Sequence, residues 1–304
     1  MKIFLTGATG FIGSNLVKKL LSDKHEVVCY VRNIEKARKV LGPNPELIQT
    51  TAFDNHLIAT LERCDVVINL AGESIVKRWT KKSKIKIYDS RVSLTNKIVK
   101  LITRCKTPPK VLISSSAVGY YGSHGDYEIY ENSQRGTNYL SFLCSEWEKV
   151  AYPFDESGNF LDTRVVILRT GVVLGNGGAL KKMLLPFKLG IGGILGNGKQ
   201  WMPWIHLSDM IKIIIFSINN KEVCGPINCV SPNPVTNKKF TKDMGSVLKR
   251  PTIFPVPGFV LRLIFGESSC ILLDSQRVVP KQLINNKFSW KFANIKSALK
   301  DLLN

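Results

Sequence analysis

The run Gly7-Ala8-Thr9-Gly10-Phe11-Ile12-Gly13 restricts this chain more than any other feature, because it joins the apolar stretch KIFLT to the amphipathic stretch NLVKKLLSDK. At this position, between a first strand and a first helix, each glycine has its own task. The first makes the tight turn, the second lets the backbone approach a pyrophosphate, and the third lets helix and strand pack closely. The helix then presents unpaired N–H groups and the positive end of its dipole to an anion. A dinucleotide held at Gly7, Gly10, Phe11, Ile12 and Gly13 is the expectation.

The rest of the first 175 residues alternates β-rich runs (EVVCYVR, LIQTTAF, DVVINLAG, KVLISSSAVGYYG, TRVVILRTGVVLG) with amphipathic segments such as SLTNKIVKLITRC. That order implies an α/β chain with a parallel, doubly wound sheet and helices on both faces. The remaining residues are less regular and hold most of the prolines. Short pieces such as PINCV and TIFPVP and a closing helix NIKSALKDLL suggest a smaller α+β lobe over the carboxyl edge of the sheet, where ligands of such folds bind. The expected division is 1–175 for nucleotide binding and 176–304 for a substrate-binding lobe, with some elements interleaving.

Several function classes fall away. The opening apolar run, Ile3-Phe4-Leu5, is too short for a signal peptide, and MIKIIIFSI around Lys212 is too short to span a membrane, so it reads as a buried helix. A soluble, cytoplasmic protein with no membrane partner is expected. Seven cysteines lie scattered in apolar segments and read as buried, reduced thiols; the four histidines are isolated, so no metal site is expected. The net charge of +20 comes from lysines spread over the whole length without a nucleic-acid-binding motif. Anionic small molecules account for it better than a specific nucleic-acid partner. The densest basic stretch, KRWTKKSKIKIYDSR at 77–91, reads as one helix with Trp79, Ile85 and Ile87 on its apolar side. Oligomeric state leaves no mark in these residues.

The second β-rich run ends in Val31-Arg32-Asn33. A site selective for NAD places an acidic residue there, about 20 residues past the glycines, to hold the ribose 2′-hydroxyl. An arginine instead pairs with a 2′-phosphate, and NADP(H) is the expected cofactor, with Arg32 and Asn33 as contacts. Leu70-Ala71-Gly72 ends the fourth run, where small residues let the backbone pass close to the ribose and pyrophosphate. Arg91 is placed to reach phosphate or ribose, with Lys86 assisting. Glu73 either contacts substrate or caps a helix.

The glycine motif, NLAGESI, RWT, SRV, SSSAVGYYG, WE, RTGVVLG, MLLPFKLGIGG, the pattern around QWMPWIH and the tail SQRVVPKQL together resemble the NAD-dependent epimerase/dehydratase family, an atypical branch of the extended short-chain dehydrogenases/reductases. The resemblance spans nearly the whole chain, including a C-terminal module from about residue 250. It implies a Rossmann-type fold and an NADP(H)-dependent oxidoreductase or epimerase-like enzyme. The substrate would be a small molecule such as a sugar nucleotide or another carbonyl compound. Val173, within RTGVVLG, joins the expected cofactor contacts.

In typical members of that superfamily a Tyr-x-x-x-Lys pair performs proton transfer: the tyrosine is the acid/base and the lysine lowers its pKa. The matching register here holds Leu140 and Cys144, and neither can do that work. Tyr139 is one residue early, a turn of about 100° on a helix. The resemblance places the superfamily serine at Ser116, with Ser114 and Ser115 as neighbouring rivals. Tyr121 is the expected substitute acid/base and Tyr120 a substrate contact, although both rings have an alternative role in packing. Trp201, Trp204 and His206 read as pocket wall and strand end, Trp204 being the substrate candidate. The alternative to an enzyme is a non-catalytic NADP(H)-binding or redox-sensing protein.

Overall fold

The structure is a computed structural model and describes residues 1–154, 158 and 161–303. The first half follows the expected alternation: β1 (Lys2–Thr6), α1 (Phe11–Ser22), β2 (Glu26–Val31), α2 (Ile34–Leu41), β3 (Glu46–Gln49), α3 (Asp54–Leu61), β4 (Val66–Asn69), α4 (Lys81–Tyr88), α5 (Leu94–Ile102), β5 (Val111–Ala117), β6 (Glu128–Ile129), α6 (Tyr139–Lys149) and β7 (Arg164–Thr170). The second half comprises β8 (Val172–Leu174), α7 (Gly178–Lys188), β9 (Trp201–Met202), β10 (Trp204–His206), α8 (Leu207–Asn219), β11 (Gly225–Cys229), β12 (Val235–Thr236), α9 (Asn237–Leu248), α10 (Gly258–Phe265), α11 (Cys270–Leu273), β13 (Arg277–Val278), α12 (Lys281–Asn285) and α13 (Ile295–Leu303).

Seven parallel strands form the central sheet in the order β11-β7-β5-β4-β1-β2-β3. Their side chains feed two apolar layers, as expected of a sheet covered on both faces. Leu16, Val17 and Leu20 of α1 join Ile213 and Ile214 of α8 on one face. Leu57 and Leu61 of α3 join Ile98 and Ile102 of α5 on the other. The order reverses beside β1, so the ends of β1 and β4 open the crevice that receives ligands in such sheets.

Elements from beyond residue 175 interleave with the nucleotide-binding half. β11, the PINCV piece, completes the central sheet beside β7, and α8 seals one face of it. Leu283 and Phe288 also enter that core. A parallel strand needs a long crossover, and here residues 171–224 supply it. The smaller lobe has its own core around Leu180, Phe187, Trp204, Phe240 and Leu299, with two-stranded pairs β12–β9 and β10–β8.

Three further expectations change. The basic stretch 77–91 is not one helix: Trp79 precedes α4, and a π-helical turn over Asp89–Ser93 links α4 to α5. Ile87 is buried, but Ile85 is 61% exposed, because a helix that covers one narrow face cannot bury both residues two positions apart. TIFPVP contributes one isolated bridge, Leu195 with Val256. Cys224 is exposed, unlike the buried Cys29, Cys64, Cys144 and Cys229.

Candidate functional site

The glycine turn and the end of β4 are built against each other. Gly7 has φ +70°, and a Cβ there would stand 2.6 Å from the carbonyl of Leu70 and 2.7 Å from the amide nitrogen of Ala71. Glycine alone satisfies both the dihedral and the approach. A Cβ at Gly13 would meet the Gly7 carbonyl oxygen at 2.2 Å, which is the close helix–strand contact. Gly10 differs, since its Cβ would have one near neighbour, the Gly7 oxygen at 3.1 Å. Its backbone is extended at the N-terminus of α1, with no side chain capping the helix. The first amides of α1 therefore have no acceptor within the helix, as phosphate binding requires. The Phe11 ring packs on Gly175, Gly177 and Gly178 and ties α1 to the loop after β8. Ile12 packs against the core, and half-buried Val173 pairs with Ile205 of β10.

Arg32 is exposed at the end of β2, and its carbonyl accepts a bond from Gln49 at 3.4 Å. The Asn33 side chain accepts the Lys36 amide at 2.7 Å, so its oxygen caps α2. Across the crevice, Glu73 follows β4. Its carboxylate is held below the usual range first by the hydrogen bond from Lys77, at 3.2 Å, and more weakly by attraction to Arg32. Neither expected role of Glu73, substrate contact or helix cap, is shown by these partners.

Arg91 rides on the π-helical turn, a form of helix enriched at functional sites. Its guanidinium donates to the Glu73 carbonyl at 2.9 Å and lies under Gly72, where a Cβ would be 3.2 Å away. It also faces the Trp147 ring at 5.3 Å. Burial draws its pKa down, while Cys144 and Tyr139 draw it up. Lys86 is exposed on α4.

The residues expected to carry chemistry lie in a closed network. Ser116 donates to the Glu148 carboxylate at 2.6 Å. Arg169 grips the same carboxylate with two nitrogens, Nε at 2.9 Å and Nη2 at 2.7 Å. Its third nitrogen donates to the Tyr121 hydroxyl at 2.9 Å and the Glu131 carbonyl at 2.8 Å. Tyr121 donates onward to Asn228 at 2.7 Å. Tyr121 is 0% exposed, and burial raises its pKa far above the ordinary phenol value. Sealed from solvent, with its hydroxyl held between Arg169 and Asn228, Tyr121 does not face the crevice surface, contrary to the expectation of it as acid/base. Ser116, 4% exposed, has its hydrogen committed to Glu148. Ser115, on the opposite face of β5, is the half-buried member of the three serines.

Tyr120 stacks on Arg169, with the guanidinium carbon 3.7 Å from the ring centre, so one face is covered by protein. Trp204 is 0% exposed and donates to the Asn233 carbonyl at 3.2 Å, which removes it from any substrate surface. His206 accepts the Ser208 amide at 3.1 Å and stacks on Phe292, consistent with a strand end.

The missing pair is as empty of chemistry as its side chains imply. Leu140 and Cys144 both lie against Gly119, and burial pushes the Cys144 thiol up to about 12. Tyr139 points toward α4, where its hydroxyl donates to the Lys84 carbonyl at 3.2 Å and its ring meets Trp79 edge-on. Burial raises its pKa and Arg91 lowers it. The Glu148–Arg169 pair was not among the expected site residues. A signal existed: VVILRTGVV sets one charge in an otherwise apolar strand, and such a charge needs a buried partner.

The family model described as "NAD dependent epimerase/dehydratase family" matches residues 3–229, and that of "Domain of unknown function (DUF1731)" matches residues 256–302. The chain is 38% identical to epimerase family protein YfhF of Bacillus subtilis, covering all of this chain and 98% of that protein. It is 37% identical to epimerase family protein SDR39U1 of Mus musculus, with both chains covered completely. The structure of human epimerase family protein SDR39U1 (isoform 2) with NADPH superposes with a TM-score of 0.88 at 34% identity, covering 99% of each chain. UDP-glucuronic acid 4-epimerase of Bacillus cereus, solved with UDP-glucuronic acid and NAD, superposes with a TM-score of 0.75 at 18% identity and shares the fold alone.

Proposed function

Because the chain belongs to the NAD dependent epimerase/dehydratase family, we propose that it binds NADP(H) and acts as an oxidoreductase or epimerase-like enzyme on a carbonyl or sugar-nucleotide substrate. One observation carries the cofactor: the uncapped N-terminus of α1 opens beside an exposed arginine at the end of β2, where an NAD site has a carboxylate. The amides of α1 take the pyrophosphate, Gly10 leaves it room, and Arg32 takes the 2′-phosphate. Leu70, Ala71 and Gly72 form the backbone floor, and Arg91, held under Gly72, offers positive charge to phosphate or ribose. The related human protein was solved with NADPH, in agreement with this assignment. When bound there, NADP(H) supplies or accepts a hydride.

Proton transfer runs through neither Ser116 nor Tyr121, since both are held in the Arg169–Glu148 network. Tyr139 is half-buried and not sealed, and its phenol is the proposed proton donor, in which role it gives up its present bond to the Lys84 carbonyl at 3.2 Å. A second reading, a non-catalytic NADP(H)-binding protein, is favoured by the completeness of the network that occupies the usual catalytic positions. Titration calorimetry with NADPH and NADH tests the cofactor, and equal affinities would remove the assignment. A screen of carbonyl and sugar-nucleotide substrates with wild type and Tyr139→Phe tests the chemistry. Turnover that falls at least ~100-fold in the variant supports the first reading, and absence of turnover by the wild type hands the site to the second.

A further inference from the structure

The exposed apolar side chains of the smaller lobe are concentrated in two neighbouring segments. On and after α7, Leu185, Leu189 and Ile191 are 64%, 65% and 57% exposed. In the loop before α10, Ile253 and Phe254 are 72% and 55% exposed. On α10 itself, Phe259, Leu263 and Ile264 are 69%, 75% and 56% exposed, and Leu261 is the buried residue of that helix. Backbone bonds join the segments: Val256 N–H donates to the Ile194 carbonyl at 2.8 Å, and Gly196 N–H to the Val256 carbonyl at 2.9 Å. Clustered apolar exposure of this extent marks an interaction surface.

The charge of the same segments is one-sided. Residues 178–199 carry Lys181, Lys182, Lys188 and Lys199, all exposed, with no Asp or Glu. Residues 249–266 carry Lys249, Arg250 and Arg262, also exposed, again with no Asp or Glu. Projecting Phe, Leu and Ile set among Lys and Arg form the arrangement that inserts into the headgroup layer of an anionic bilayer. A second copy of this chain is a poor occupant, because a shared symmetric face would bring two sets of seven cations together.

We propose that α10, the loop before it and the end of α7 form a peripheral docking surface for an anionic lipid bilayer. The contact is a surface one: α10 has eight residues, and among the described residues no helix is long and apolar enough to cross a membrane. The smaller lobe would then rest at the lipid interface.

Flotation of the full-length protein with vesicles tests this directly. Binding is expected to phosphatidylcholine vesicles containing phosphatidylglycerol and not to phosphatidylcholine alone. The double variant Phe259→Ser/Leu263→Ser should lower the bound fraction roughly tenfold or more. Phe53→Ser, which removes an 87% exposed ring at the start of α3, should leave it unchanged. All these side chains are exposed, so unaltered thermal unfolding is expected and checks that the variants fold. Equal binding by the double variant would reduce the effect to the +20 net charge and overturn the proposal. So would equal binding to the neutral vesicles, absence of binding, or a concentration-dependent dimer in sedimentation equilibrium that the double variant abolishes.

Discussion

The turn after β1 and the region where β5, α6 and β7 meet lie on the same edge of one sheet, yet they treat polar groups in opposite ways. At the turn, the first amides of α1 have no cap and Arg32 projects into solvent. At the second region, Glu148 accepts three hydrogen bonds, Arg169 makes four, and Tyr121 is sealed. Polar groups left unpaired at a surface await a ligand, whereas polar groups saturated in the interior hold elements together. The residue types that suggest catalysis at β5 therefore do structural work. This network joins β5, α6, β7 and β11, and it reaches the C-terminal segment through Asn228 and Val279.

The comparison breaks most visibly at the buried pair. Arg169→Met strands the Glu148 carboxylate in the interior and should cost about 3–5 kcal/mol of stability. Thermal or urea unfolding measures it, and a loss below about 1 kcal/mol, the scale of an exposed pair, would mean that the network is not closed. The corresponding test at the turn spares the fold. Gly10→Val sets a Cβ against one near neighbour, the Gly7 oxygen at 3.1 Å, and should remain folded while NADPH affinity falls at least ~100-fold. Undiminished affinity in that variant would make the glycine turn purely structural.

Arg32→Ala should weaken NADPH binding roughly 10- to 100-fold and leave NADH nearly unchanged. Parallel losses for both nucleotides would show that Arg32 does not read the 2′-phosphate. The smallest effect belongs to Tyr121→Phe. It removes one hydrogen-bond partner each from Asn228 and Arg169 and should cost about 1 kcal/mol of stability. Any turnover and its pH profile should stay as in the wild type, because a phenol whose pKa is raised so far by burial does not titrate in the working range. A Tyr121→Phe loss confined to kcat would reopen its catalytic role.

Much of the molecule was legible in one dimension because the relevant physics is local. The glycine spacing, the alternation of β-rich and amphipathic runs and the absence of an acid at the end of β2 all act within a few residues of chain. They determine the strand–turn–helix unit, the parallel sheet and the place for a phosphate. The absence of the Tyr-x-x-x-Lys pair at Leu140 and Cys144 was equally readable, since residue identity needs no fold to be known. Other features depend on which distant segments meet. Glu148 and Arg169 pair across 21 positions, and Tyr121 and Asn228 across 107. Which element after residue 175 interleaves with the sheet was also not readable: β11 returns to it beside β7 after a long crossover. A hydroxyl reads the same in sequence whether it lines a groove or closes a core. Only the tertiary structure decided that Ser116, Tyr121 and Trp204 face inward, because burial and saturation by partners belong to the packed chain and not to the residue.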